Sequence, residues 1–82
     1  MANKEFNIRL GAVLRAHRQE KGFSQEYVAG LLGVSKNQVS HWEIGKRSMY
    51  AESLRSYCRI LGASMQEVLD EADEVVIDNA DL

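Results

Sequence analysis

Two stretches with helical spacing of apolar residues meet with almost nothing between them. Val28, Ala29, Leu31 and Leu32 give one helix a buried side, Val39 and Trp42 anchor the next, and only Gly33 and Val34 separate the first from Ser35. Two helices joined by so short a link must turn sharply, which is the geometry of a helix-turn-helix. Each small or apolar residue at the corner has a mechanical reason. Gly33 can take positive φ, which costs an ordinary residue about 1–2 kcal/mol. Val34 plugs the corner, and Ala29 leaves room where the second of the two helices passes close to the first.

The other elements follow from the same spacing and from local punctuation. Phe6, Leu10, Val13 and Leu14 predict a first helix over about residues 5 to 21, closed by Gly22. Ser24 offers an oxygen to the free amides of the second helix, and Glu26 complements its positive end. Ser35 opens the third helix, with Gln38 three positions on as the second half of a capping box, and Gly45 ends it. Ala51, Leu54, Tyr57, Cys58 and Leu61 predict a fourth, closed by Gly62. Ser64 to Glu67 form a second capping box and open a short fifth helix through Val68 and Leu69. After Asp70 the periodicity fails. The reading is all-α: a five-helix domain over residues 1–70, then an acidic tail over 71–82 that is disordered or forms a short dimer arm or strand around Val75, Val76 and Ile77.

Composition narrows the function classes. At 82 residues the chain is one domain, of a size that buries about 60% of its unfolded surface. One cysteine, Cys58, and two histidines, His17 and His41, give no metal-ligand spacing and no disulfide. No metal or other cofactor is expected. Neither paired carboxylates nor a nucleophile with its base is evident, so an enzyme is not expected and no residue is assigned a catalytic role. With no membrane span and no secretory signal, a cytoplasmic protein is expected. The net charge of −2 argues against a nucleic-acid partner until the chain is divided. Residues 1 to 69 carry ten Lys and Arg against six acids, a net of +4, whereas residues 70 to 82 carry six acids and no base, a net of −6. A basic body with an acidic tail suits a nucleic-acid binder.

With Val39 and Trp42 turned inward, the third helix leaves Lys36, Asn37, Ser40 and His41 outward, with Ser35 and Gln38 at its amino end. These types suit the major groove. Lysine donates to guanine O6 and N7, asparagine pairs with adenine N6 and N7, and serine or histidine serves either role. Ser35, Lys36, Asn37, Ser40 and His41 are the expected base contacts. Gln38 is expected on a phosphate.

The stretch FSQEYVAGLLGVSKNQVSHWEIGKR resembles the helix-turn-helix of the Cro and repressor type, found in lambdoid phages and in the xenobiotic-response-element group of bacterial regulators. The matching positions are Ser24, Gln25, Ala29, Leu32 to Ser35, Val39, Trp42, Glu43 and Gly45 to Arg47, within a resemblance over roughly residues 8 to 70. It implies a lambda-repressor-like five-helix domain that regulates transcription, as a repressor, by binding double-stranded operator DNA as a homodimer through helix five and the C-terminal segment. It implies also that Gln25 contacts a phosphate and braces the third helix, that Lys46 and Arg47 lie along the sugar-phosphate backbone, where attraction is blind to sequence, and that Arg18 and Glu43 form a partly buried ion pair. Met49 and Tyr50 depart from the pattern, standing where proline and a capping Ser or Thr are common. The rival expectation is an antitoxin or other interaction module whose acidic tail binds a partner protein, with DNA binding used for autoregulation.

Overall fold

In the computed structural model, which describes residues 4–75, three serines set where helices begin. The Ser24, Ser35 and Ser64 hydroxyls accept bonds from the backbone amides of Tyr27, Gln38 and Glu67, satisfying donors that a helix start leaves open. Only this forward half of each expected capping box forms among the described residues. The helices are α1 (Lys4–Glu20), α2 (Gln25–Leu32), α3 (Lys36–Glu43), α4 (Ala51–Leu61) and α5 (Met65–Glu74). Gly33 closes α2 with φ 71°, and its amide and that of Val34 return to the carbonyls of Gly30 and Ala29. Tyr50 precedes α4 without a side-chain cap bond and is 86% exposed.

Leu14, Val28, Val39, Tyr57, Leu61 and Val68 meet at the centre, each 0 or 1% exposed, so every helix contributes to one core. Long helix α1 is the spine. It packs against α5, α3 and α4, while α2 pairs with α3 and α4, and α5 does not pack on α3. One glycine sets the closest crossing. A Cβ on Gly11, in mid-α1, would lie 2.7 Å from the Glu43 carbonyl carbon and nearer still to the carbonyl oxygens of Trp42 and Glu43. The carboxyl end of α3 therefore rests directly on the α1 backbone.

Three expectations need correction. Leu31 is 56% exposed rather than buried; at 3.6 residues per turn the four apolar positions spread over about 160° of the helix, and Val28 and Ala29 hold the inner arc while Leu31 lies at its edge. Ala51, at the first turn of α4, is also exposed. Helix α5 runs to Glu74, so a boundary between residues 70 and 71 would cut through it. Its inner row is Val68, Ala72 and Val75, and Ala72 is fully buried; the carboxylates between them mask this spacing in the sequence. The rest of the tail, with the arm or strand expected at Val76 and Ile77, lies outside the described residues.

Candidate nucleic-acid interface

Helix α3 divides by depth. Val39, Trp42 and Glu43 are buried, Gln38, Ser40 and His41 are half-buried, and Ser35, Lys36 and Asn37 are exposed at the amino end. Just beyond α3, the chain folds back on itself. The amides of Lys46 and Arg47 both donate to the His41 carbonyl, at 2.9 and 3.4 Å, leaving the two exposed cationic side chains beside the helix. The Asn7 side-chain amide donates to Ser48 Oγ at 2.8 Å and ties this loop to the start of α1. The structure thus brings Ser35, Lys36, Asn37, Ser40, His41, Lys46 and Arg47 to α3 and its following loop. Lys36 Nζ stands 3.9 Å from Glu26 Oε1 of α2, an exposed pair worth little in stability.

The carboxyl end of α3 is fixed by a buried carboxylate. Arg18 Nε donates to Glu43 Oε2 at 2.7 Å and Arg18 Nη2 to Oε1 at 3.0 Å, a two-pronged ion pair. Arg18 Nη1 also donates to the Phe23 carbonyl at 2.7 Å. Gln25 Nε2 donates to Glu43 Oε1 at 3.0 Å, and the Tyr57 hydroxyl to Oε2 at 2.5 Å. Burial pushes the Glu43 carboxyl up, but the bonds from Arg18, Tyr57 and Gln25 outweigh it and hold the group below its ordinary value. The same ion pair raises Arg18 against the effect of its burial. Burial, then the bond to Glu43, pushes the Tyr57 phenol up. One carboxylate therefore joins α1, α2 and α4 to the end of α3.

Sequence reasoning missed two residues here. Tyr57 is expected only as an apolar core residue, yet a tyrosine on an inward row must find a partner for its hydroxyl, and Glu43 was the buried acceptor to pair it with. Gly11 also passed unremarked. An interior glycine costs a helix about 1 kcal/mol relative to alanine, so its presence asks for a packing reason.

A sharp α2–α3 corner, with a polar and cationic outer helix docked on a spine through a buried ion pair, defines a helix-turn-helix DNA-binding domain. The family model for the helix-turn-helix domain matches residues 9–72, and the chain belongs to that family. Two crystal structures of the clp gene regulator ClgR from Corynebacterium glutamicum are similar. Each is 38% identical over 84% of this chain, spanning 88% and 73% of theirs, with TM-scores of 0.81 and 0.82. The restriction-modification controller protein C.AhdI from Aeromonas hydrophila is 30% identical over 74% of this chain and 92% of its own, with a TM-score of 0.70. No curated protein matches. No described helix is long and apolar enough to cross a membrane.

Proposed function

We propose that this chain is a sequence-specific transcription regulator, acting in the cytoplasm as a repressor, that binds operator DNA as a homodimer with α3 of each subunit in the major groove. The observation that carries this reading is the split of α3: its inner side is spent on the core and on the Arg18 pair, while Lys36 and Asn37 are exposed at the amino end that meets bases in such domains. Ser35, Ser40 and His41 complete the base-reading set, and Gln25, Gln38, Lys46 and Arg47 take the phosphates. Similarity to a gene regulator and to a controller protein supports the regulatory role.

Two kinds of substitution separate the roles. Asn37→Ala and Lys36→Ala should each cost about 1–3 kcal/mol on the preferred sequence and blur it, while Lys46→Ala should weaken all sequences alike and flatten the salt dependence by about one ion. Binding measured on selected and random duplexes over a salt series gives both quantities. Uniform loss from both kinds of change would remove α3 as the reader.

Pairing through α5 and the segment after it would set the two α3 helices about 34 Å apart, one turn of the duplex. Met65 and Leu69 are the half-buried apolar residues of α5 that support this arrangement. Val68 is fully buried within its own subunit and serves the core instead. Sedimentation over a concentration series, with and without operator, should show dimers; a monomer under every condition would sink this arrangement.

A further inference from the structure

The acceptor capacity of Glu43 is fully used. An ionised carboxylate offers about four lone-pair sites, and here Oε1 takes Arg18 Nη2 and Gln25 Nε2 while Oε2 takes Arg18 Nε and Tyr57 Oη. The donors differ in freedom. Arg18 is also held at the Phe23 carbonyl, and Tyr57 is fully buried with its ring in the core. Gln25 is half-buried at the first position of α2 and makes no other side-chain bond to the described residues.

An ionised carboxylate can only accept, so the nitrogen end of the Gln25 amide must face it. This leaves the second amide hydrogen for a partner outside the fold. Removing the Tyr57 hydroxyl opens a site on Oε2, and the donor able to swing toward it is Gln25. We propose that Tyr57 is a positioning residue for DNA binding: by completing the shell of Glu43, it holds the Gln25 amide with one hydrogen inward and the other turned toward a backbone phosphate. This rests on the DNA-binding function proposed above. Tyr57 lies within the core, fully buried, and acts without touching nucleic acid itself.

The test is a double-mutant cycle on the full chain, with Tyr57→Phe and Gln25→Ala, reading affinity for random-sequence duplex over a salt series. Tyr57→Phe should weaken binding about three- to tenfold and leave the salt slope unchanged, because the neutral Gln25 amide displaces no counterion when it meets a phosphate. In the Gln25→Ala background it should weaken binding no further. Losses that add in the double variant overturn the positioning role. A parent chain that binds no duplex overturns the proposed function itself, so the two failures are distinct. A second reading uses the parent chain and does not depend on the variant folding. By NMR, one Gln25 side-chain amide hydrogen should resist solvent exchange in the free protein, and the other should shift when duplex is added. Free exchange of both hydrogens overturns the proposal.

Discussion

Arg18→Met should destabilise the domain by about 3–5 kcal/mol, because it leaves the buried Glu43 carboxylate without its counter-charge. Against a total stability of about 5–15 kcal/mol for an ordinary domain, that is a large share, and a domain at the low end of the range would be left about half unfolded. Urea unfolding at neutral pH measures the loss.

The pH dependence tests the cause. In the parent chain, Glu43 is held below its ordinary value of 4.5. Its contribution is therefore complete above about pH 4.5 and is lost as the pH falls through the depressed folded-state value. Without Arg18, burial is left with only two neutral donors against it and pushes the carboxyl up. The variant then folds more readily with Glu43 protonated, and its deficit relative to the parent should shrink as the pH falls toward 4.5. The double variant Arg18→Met with Glu43→Leu removes both charges and should recover much of the loss. A deficit that is unchanged by pH, and not relieved in the double variant, would mean that the ion pair is not the cause.

Gly11→Ala should be the other severe change, at about 2–4 kcal/mol. Alanine would ordinarily gain about 0.5–1 kcal/mol over glycine in a helix interior. Here the added carbon meets the backbone carbonyls of Trp42 and Glu43, which cannot rotate away as a side chain would. The carboxyl end of α3 must lift from α1, carrying Glu43 off Arg18, so overpacking and a weakened ion pair act together. Gly30→Ala is the matched control: that position is exposed in α2, and an added Cβ meets nothing within 4 Å. It should stabilise by about 0.5–1 kcal/mol. Thermal unfolding of the two variants should give shifts of opposite sign, and two shifts of the same sign would refute the close-approach explanation.

The parts of this fold legible in the sequence are those set by local chemistry. Ser24, Ser35 and Ser64 announce helix starts because a short side-chain oxygen satisfies amides two or three residues on. Gly33 and Gly62 announce stops because both take positive φ in closing their helices. The division of α3 into anchors and outward residues follows from three- and four-residue spacing alone. What stayed hidden depends on partners distant in the chain. Tyr57 and Glu43 are joined only when the fold brings the inward row of α4 within side-chain reach of the end of α3, and Gly11 gains its meaning only from the carbonyls laid against it. The length of α5 was hidden differently, since Ala72 is too small to register as an apolar anchor among Asp70, Glu71, Asp73 and Glu74.

Helix α5 carries five carboxylates and no base, and it packs on α1 and α4 rather than on α3, which has Lys36, Lys46 and Arg47 at or beside it. The domain is thus an electric dipole as well as a scaffold. In the field of a polyanion it feels a torque that swings α3 forward and a repulsion when it approaches the other way round. Orientation begins before contact, within the roughly 8–10 Å over which physiological salt leaves such fields unscreened.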